Sequence, residues 1–464
     1  MEKIRRTTVR VESDLLGQIE VPARALYGAQ TQRAIENFPV GREPTLEQFP
    51  TLVQALLLVK KAALITNAEN GFLPEATSRA ILKSIDTLLA EGWSGHFPIH
   101  YLHGGGGTSA NMNANEVLAN LAEEELGGRR GQYRRVHPND HVNLHQSTND
   151  VYPTACHIAV ILAWPSLKTA LEKLAQIFKQ HSKTYRTQVR LARTCLQDAV
   201  PVTFGDYFGA IATMLARQTH RLGAAVANLH EVNLGGTICG RREDVPASYF
   251  HGVIANLCQV TGDHAYRRAK DLFDAAQNAD PLAAVSSALD LLARSLFKVA
   301  QDLRLLSSGP QAGLGEVRLP PVQPGSSIMP GKVNPVIPEF LMQVCFRVMG
   351  NHAMCLAGLD HGELDLNVWE SSMVFPILEA MDLLVQGVTA FEEKCIRSLE
   401  PVIDLNQAHA NTLIPRLTRL AQIHGYSKVN TLCKQAEGDL KKLEMLLDHL
   451  LGDPHPPGCL RQID

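Results

Sequence analysis

A long, regular seam of leucine and valine constrains the fold of this chain more than any other feature. Between residues 282 and 306, large apolar side chains recur at alternating spacings of three and four residues, and Gly309-Pro310 ends the pattern. This spacing places every one of them on one face of a long α-helix. The pattern therefore predicts a helix bundle. The seam consists of Leu282, Val285, Leu289, Leu292, Leu296, Val299, Leu303 and Leu306.

Shorter stretches of helical periodicity occur elsewhere in the chain. Pro165 precedes one of them and is expected to kink its start. Because long helices with narrow apolar stripes exceed what one small core needs, the sequence also predicts a homo-oligomer. The further predicted helices are Leu52 to Asn67, Asn113 to Glu125, a segment around 167–178, and a less regular segment around 211–229.

Three domains are predicted along the chain. Residues 1–146 read as a mixed, mostly helical domain, 147–400 as the central helix bundle, and 401–464 as a small C-terminal helical domain. Leucines in the last domain indicate two short helices. The end, Asp453 to Asp464, is rich in proline and is expected to be poorly ordered.

Composition excludes several classes of protein. The chain has 464 residues, of which 45% are apolar and 20% charged, as in ordinary globular proteins. A net charge of -3 argues against nucleic-acid binding. The chain contains no uninterrupted run of eighteen apolar residues, so no membrane span is predicted. The segment Met1 to Glu12 lacks the apolar core of a secretory signal. The nine scattered cysteines contain no C-x-x-C pair, which favours reduced thiols in the cytoplasm over a disulfide framework or zinc site.

The segment from Gly325 to Pro335, which reads GSSIMPGKVNP, is the strongest candidate for chemistry. It sets two hydroxyls, a lysine and a carboxamide along a short loop that contains two glycines and two prolines. A site that removes a proton from the carbon next to a carboxylate needs a base, fixed hydrogen-bond donors and a nearby cation. The residue types of this loop match that requirement.

A nucleotide-binding P-loop is the first alternative for the same segment. That motif reads G-x-x-x-x-G-K-[ST], and its last hydroxyl contacts magnesium. Here Gly325 and Gly331 are one residue too far apart, and Val333 follows Lys332. The P-loop interpretation is therefore rejected.

Three other segments carry small polar residues in dense groups. Residues 103–116 read HGGGGTSANMNANE, residues 146–150 read QSTND, and residues 192–201 read ARTCLQDAVP. The first two lead into helical patterns, and a helix N-terminus offers free N–H groups and a positive dipole end to a carboxylate. Taken singly, each segment is explained equally well as a helix cap or a packing turn.

Together, in this order, these segments resemble the aspartase/fumarase superfamily, and most closely its aspartate ammonia-lyase branch. The resemblance extends from Asp14 to about Arg397. It is weaker in the C-terminal segment, which is shorter than usual for the branch. The pattern GSSxMPxKxNP is specific for the superfamily and less so for the substrate, because fumarases carry nearly the same loop. The matching stretches read GTSANMN, HPNDHVN, QSTND, LQDAVP, DLRLLSSGP and GSSIMPGKVNPVIPE.

The resemblance implies a fold and a reaction. The expected fold is mainly α, with a three-domain subunit whose long-helix bundle joins three others into a tetramer around a twenty-helix core. Each active site would collect segments from three subunits. The expected reaction is the reversible elimination of ammonia from L-aspartate to give fumarate through an enediolate. No organic cofactor is needed for it, and Mg²⁺ is expected at most as an activator, since no metal-ligand cluster is evident.

By similarity, Ser326 is the general base that takes the proton beside the β-carboxylate. Its alkoxide needs stabilisation, which Lys332 and the N–H groups of the loop are expected to give. Glu339 matches a supporting carboxylate. The implied substrate contacts are Thr108, Ser147, Thr148 and Ser327 to the carboxylate that becomes an enediolate, Lys332, Asn334 and Thr194 to the other carboxylate, and Asn149 to the amino group.

A peripheral carboxylate site known in some family members matches His137, Asn139 and Asp140. A polar turn that caps a helix explains these residues at least as well.

Two departures from the family put the substrate in doubt. Cys195 stands where fumarases and some aspartases have histidine and other aspartases have glutamine; an inert, packed cysteine is expected there. Arg241 and Arg242 follow the matching segment that ends at Thr237, in place of a small, flexible pair. They offer a contact for an extra anionic group on the substrate, but pairing with nearby Glu and Asp residues is favoured.

Four functions remain open from the sequence. The leading one is the aspartate ammonia-lyase reaction. The others are a same-mechanism amine lyase for an N-substituted aspartate or a trimethylammonium betaine such as ergothioneine, a class II fumarase, and a catalytically weak structural oligomer. The small-molecule substrate is in each enzymatic case a dicarboxylate or an amino acid.

Overall fold

The computed structural model describes residues 8–39, 41 and 44–451, so the expectations for Asp453 to Asp464 and for residues 1–7 lie outside the described part. The described chain is mainly helical, which confirms the predicted fold class at that level. The helices are α1 Ala29–Asn37, α2 Pro50–Glu69, α3 Glu75–Glu91, α4 Thr108–Glu125, α5 Thr148–Thr184, α6 Phe204–Asn228, α7 Ala247–Thr261, α8 Leu272–Gln277, α9 Asp280–Leu306, α10 Val336–Asp360, α11 Glu370–Phe391, α12 Ile403–Ala410, α13 Leu413–His424, α14 Tyr426–Ala436 and α15 Leu440–Leu451.

Among the described residues, short strands pair into four two-stranded sheets. Three of these pairs are antiparallel, and the pair β5–β6 is parallel. The strands are β1 Val9–Asp14, β2 Gly17–Pro22, β3 Val189–Thr194, β4 Gln197–Thr203, β5 Glu231–Val232, β6 Arg267–Arg268, β7 Val317–Arg318 and β8 Glu400–Pro401.

The chain divides into two compact units. The first unit runs to Leu171 and takes up again over Arg217–Ser295 and Gln343–Gly387. The second unit comprises Glu172–Ala216, Leu296–Met342 and the chain from Val388 onward. Each unit is therefore built from segments that are distant in sequence.

Helix α2 is the centre of the first unit. It packs against α3 and α7, and thirteen of its side chains are buried. A helix that is apolar on nearly every side must be enclosed by others. The helix predicted over Leu52 to Asn67 is thereby confirmed. One of its buried residues is charged, namely Lys60.

In the part of the chain that the structure describes, three helices are long and apolar enough, by length and composition, to cross a membrane. They are α2, α5 and the segment Glu370–Ile396. In α2, 72% of the apolar window is buried inside the protein.

The leucine seam lies on α9 and is buried within the single chain. All eight of its side chains are 5% exposed or less. The predicted helix is confirmed, and the seam is already covered without another subunit. The larger apolar side chains that stay exposed on α9 and α10 are Leu291, Leu305, Phe340, Phe346 and Leu356.

Two sequence expectations about helices are wrong. The periodicity after Pro165 belongs to the interior of α5, which already begins at Thr148, so Pro165 does not mark a helix start. The described tail holds four helices, α12 to α15, instead of two. The two predicted helices correspond to α13 and α15, which carry the leucines, whereas α12 and α14 carry one leucine each and were missed. The helices α13, α14 and α15 share a small core. Its buried members are Leu420, Val429, Ala436, Leu443 and Leu447.

Candidate active site

In the first unit, two helices begin at residues that the sequence assigned to substrate binding. Helix α4 begins at Thr108 and α5 begins at Thr148. Gly107 precedes Thr108 with φ 83°, and a Cβ at that position would lie 2.3 Å from the ring of Tyr152. Only glycine satisfies both requirements. The close approach of this turn to Tyr152 places the start of α4 beside the first turn of α5.

Hydrogen bonds fix how the hydroxyls of this region are used. Asn111, one turn after Thr108, donates its Nδ2 to Thr148 Oγ1 at 3.0 Å. The backbone N–H of Asn149 donates to Ser147 Oγ at 3.2 Å. Each hydroxyl oxygen thus accepts from an N–H, which leaves its own proton available for donation. Two hydroxyl donors beside a helix N-terminus suit a carboxylate.

The side-chain amide of Asn149 is held in one orientation. Its Nδ2 donates to the carbonyl oxygen of Ile238 at 2.8 Å, and its backbone oxygen accepts from Asn233 Nδ2 at 3.0 Å. Because the NH₂ group is engaged, Oδ1 is left as the free acceptor. An acceptor at this position matches the contact to a substrate amino group that the resemblance implied.

Asp150, the last residue of QSTND, organises this region, although the sequence pattern assigned no role to it. Its carboxylate accepts backbone N–H groups from Ser147 at 3.0 Å, Gly235 at 2.9 Å and Thr237 at 3.1 Å. Burial raises the pKa of Asp150 to about 6, and the three N–H groups oppose that shift. Only the fold shows that this carboxylate joins the segment at Ser147 to the loop at Gly235 and Thr237. In the sequence, the only sign of this role was an aspartate in a position typical of a helix cap, directly after QSTN.

Arg241 and Arg242 pair locally, as the sequence favoured. Arg241 lies 3.7 Å from Asp244, and Arg242 lies 3.2 Å from Glu243. Both arginine side chains are more than half exposed, so these pairs are weak. The loop that carries them begins at Ile238, which contacts Asn149 through its carbonyl.

The second unit holds the serine loop. Its base is closed by a hydrogen bond from Gly325 N to Lys332 O at 2.8 Å and by one from Asn334 Nδ2 to Gly325 O at 2.8 Å. A Cβ on Gly325 would lie 2.7 Å from both Asn334 N and Lys332 O. Glycine is therefore required for this close approach of the two ends. One N–H group of the Asn334 side chain is therefore engaged in a hydrogen bond within the loop.

Ser326 lies where its oxygen accepts from two backbone donors. The N–H of Met329 donates to Ser326 Oγ at 2.9 Å and that of Ile328 at 3.2 Å. Hydrogen bonds to an oxyanion favour its charged form, so the loop itself can stabilise an alkoxide at this atom. Ser327 and Lys332 are exposed on the same loop.

Thr194 and Cys195 lie at the tip of the β3–β4 hairpin. Thr194 faces Gln197 across the turn, and Cys195 and Leu196 have positive φ angles of 53° and 60°. Two residues with positive φ make the turn that suits a tight hairpin, here without the usual glycine. Cys195 is exposed, so the expectation of a packed cysteine is wrong. The turn projects this side chain away from the core.

A buried carboxylate, Glu316, supports this hairpin. It is fully buried and accepts from Arg193 at 2.6 Å and from His409 at 2.9 Å. Arg193 directly precedes Thr194, so the ion pair anchors the hairpin next to its tip. No sequence pattern indicates this ion pair, because its members are distant along the chain.

Glu339 lies in the first turn of α10 and pairs with Arg304 at 3.2 Å. Its position near a helix N-terminus is electrostatically favourable. The expected supporting carboxylate is thus tied to the end of α9.

The predicted site residues fall into two groups, one in each unit. The first unit brings together Thr108, Ser147, Thr148 and Asn149, with Arg241 and Arg242 on the adjoining loop. The second unit carries Thr194, Cys195, Ser326, Ser327, Lys332, Asn334 and Glu339.

Two further features lie apart from these groups. His137 Nδ1 accepts the backbone N–H groups of Asn139 at 3.3 Å and Asp140 at 3.2 Å, which is the capping turn favoured by the alternative interpretation. A cavity of about 340 Å³ in the first unit is lined by residues that include His157 and Glu370, and by none of the predicted site residues. Within residues 8–39, 41 and 44–451, no cluster of three or more His, Cys, Asp or Glu side chains could hold a metal ion.

The exposure of Cys195 gives a testable prediction. We expect the Cys195→Ser variant to lose one rapidly reacting thiol when the native protein is titrated with an aromatic disulfide reagent, because an exposed thiol reacts faster than a buried one. The Cys433→Ser variant, at a partly buried position, is the control and should keep that fast phase. An unchanged fast phase in Cys195→Ser would contradict the exposed position.

Comparison with known proteins gives a consistent family. A family of lyases matches residues 17–350. An aspartate ammonia-lyase from a Bacillus species is 39% identical over 430 residues, which cover 93% of this chain and 91% of that protein. A class II fumarate hydratase from Thermosynechococcus vestitus is 38% identical over 440 residues, covering 94% and 93%. The crystal structure of a fumarate lyase:delta crystallin from Brucella melitensis has a TM-score of 0.89 and 41% identity, covering 96% of this chain and 100% of that one. Each similarity extends over nearly the whole chain.

Proposed function

Since this chain belongs to the aspartase/fumarase superfamily of lyases, we propose that it is a carbon–nitrogen lyase that converts L-aspartate to fumarate and ammonia. The observation that carries the proposal is the placement of Ser326, whose oxygen accepts two backbone N–H groups on a loop that also bears Lys332. This arrangement supports a serine that acts as a base. The remaining steps follow from the groups around it.

The first step is removal of the proton next to the β-carboxylate. The Ser326 alkoxide takes this proton, and the electron pair of the C–H bond moves into the carboxylate to give an enediolate. Two negative charges then reside on the former carboxyl group, so fixed donors stabilise it more than the substrate. The protons of Ser147 and Thr148 are available for this purpose, and Thr108 and Ser327 are the further donors.

The second step is loss of the amine. The electrons return from the enediolate to form the double bond of fumarate, and the C–N bonding pair leaves with nitrogen. The ammonium group of aspartate already carries three protons, so it departs as ammonia. Oδ1 of Asn149, the free acceptor, orients that group before it leaves. Lys332, Thr194 and the remaining N–H of Asn334 would hold the other carboxylate.

A different amine substrate is the second candidate. The observation that favours it is the loop from Ile238 to Arg242, which touches Asn149 and carries two exposed arginines whose acidic neighbours hold them only weakly. An N-substituted aspartate with an extra anionic group would meet these arginines. A class II fumarase is supported less, because the exposed Cys195 replaces the histidine expected for that reaction. Membership of a lyase family weighs against a purely structural oligomer.

The assay for this proposal is the formation of fumarate, followed by its ultraviolet absorbance. Purified protein is given L-aspartate or L-malate at mildly alkaline pH, with and without magnesium. We expect turnover of L-aspartate with release of one ammonium per fumarate. Turnover of L-malate alone would instead identify a hydratase, and no turnover of either would exclude aspartate and direct the search to bulkier amines. The homotetramer and the cytoplasmic location are proposed together with this activity.

A further inference from the structure

Lysine 60 is a charged side chain in the middle of an apolar helix. It lies on α2 and is 1% exposed, whereas the side chain of its neighbour Lys61 is 24% exposed and pairs with Asp86 at 2.6 Å. Burying an ammonium group is costly unless hydrogen bonds compensate for lost water. A lysine retained at such a position therefore needs a reason other than packing.

The ammonium of Lys60 points at the loop that leads into α5. Its Nζ donates to Asn143 Oδ1 at 2.8 Å and to Gln146 Oε1 at 2.9 Å. Asn143 Nδ2 in turn donates to the backbone oxygen of Gln146 at 3.1 Å. Lys60 thus holds both ends of the turn that immediately precedes Ser147.

The same turn is connected to Thr148 through the start of α4. Asn111 Nδ2 lies 3.2 Å from Asn143 Oδ1 and 3.0 Å from Thr148 Oγ1. A second amide, Asn115 Nδ2, also donates to Asn143 Oδ1 at 3.2 Å. Asn143 Oδ1 is therefore a shared acceptor that joins Lys60 to the group that orients the Thr148 hydroxyl.

The charge of Lys60 has one nearby counterpart. Complete burial lowers the pKa of Lys60 to about 7, and the charge of Asp150 opposes this shift. Asp150 holds the other side of the same segment through Ser147 N. A cation below the loop and a carboxylate behind it would fix the geometry of Ser147 and Thr148 from two directions.

We propose that Lys60 is a positioning residue for the proposed elimination, one that fixes the Ser147–Thr148 donors through its hydrogen bonds to Asn143 and Gln146. This inference deepens the proposed function and rests on it. Lys60 does not touch the substrate; it acts through Asn143, Gln146 and Asn111. Because charge grows on the carboxylate that these donors bind as the proton leaves, the effect is larger on the transition state than on ground-state binding.

The test replaces Lys60 by methionine, which has a similar length and no charge, and uses Lys61→Met as the matched control. For Lys60→Met we expect kcat to fall about 10- to 100-fold and KM to change less than about threefold. Fumarate affinity, measured by calorimetry, should fall by about two- to threefold, a smaller factor than the loss in kcat. Lys61→Met should match the wild type in all three. A residue that only stabilises the fold would change the unfolding temperature but not kcat in the folded protein.

The outcomes separate this inference from the proposed function. If the wild type does not convert L-aspartate, the proposed substrate is wrong, and the fumarate affinities of the two variants still decide the role of Lys60. The inference is overturned if Lys60→Met folds and has the kcat of the wild type. Where no aspartate is converted, it is overturned if folded Lys60→Met binds fumarate with wild-type affinity. Should Lys60→Met fail to fold, Asn111→Ala takes its place, because it keeps both Lys60 hydrogen bonds and cuts the link to Thr148. An unchanged kcat, or unchanged fumarate affinity in that variant, would equally overturn it.

Discussion

Replacing Ser326 with alanine is expected to lower kcat for fumarate formation by about 10³-fold, within the range that a positioned general base contributes. The alanine has no oxygen to take the proton, and water in its place is neither positioned nor held by the N–H groups of Ile328 and Met329. The measurement is steady-state turnover of L-aspartate.

The loop should survive this change. Its two closing hydrogen bonds, from Gly325 N to Lys332 O and from Asn334 Nδ2 to Gly325 O, do not involve the serine side chain. We therefore expect fumarate to bind Ser326→Ala with an affinity within a few-fold of the wild type. Ser248→Ala, at an exposed serine on α7, is the control and should retain full activity. Wild-type turnover by Ser326→Ala would show that another group is the base.

Replacing Glu316 with alanine is expected to lower the free energy of unfolding by about 3–5 kcal/mol. The carboxylate is fully buried and is shared by Arg193 and His409. Its removal leaves the guanidinium of Arg193, which is only 15% exposed, without its counter-charge. The measurement is urea unfolding followed by circular dichroism.

Two further variants distinguish the cause of this loss. Glu75→Ala removes an ion pair of similar length, 2.9 Å, in which both side chains are exposed, and should cost less than about 1 kcal/mol. The double variant Glu316→Leu with Arg193→Met removes both buried charges and should recover much of the stability. A cost for Glu316→Ala no larger than that for Glu75→Ala would mean that the buried pair does not anchor the hairpin.

Periodic features of the chain could be predicted because they depend on neighbours along one helix. The seam from Leu282 to Leu306 implies a helix with one buried face, and the apolar run of α2 implies a helix that is buried on nearly every side. The composition of the loop from Gly325 to Pro335 likewise indicated a base and a cation, since those residue types lie together in sequence.

Features that depend on distant contacts were misjudged or missed. Cys195 was expected to be packed, but a tight hairpin turn exposes it. Helix α5 continues through Pro165, and the short helices α12 and α14 were missed because each carries a single leucine. No local pattern distinguishes Lys60 from Lys61, although only the first is buried.

The sequence by itself determined the helical class, the superfamily and the identity of the residues proposed for catalysis. These follow from periodicity and from short, specific motifs, both of which are local. The tertiary structure alone decided which buried charges hold the site segments. Glu316 joins Arg193 to His409, and Lys60 reaches Asn143 and Gln146, across more than eighty residues of chain. Such contacts arise from packing of whole elements, because the loss of water around a charge depends on everything that surrounds it.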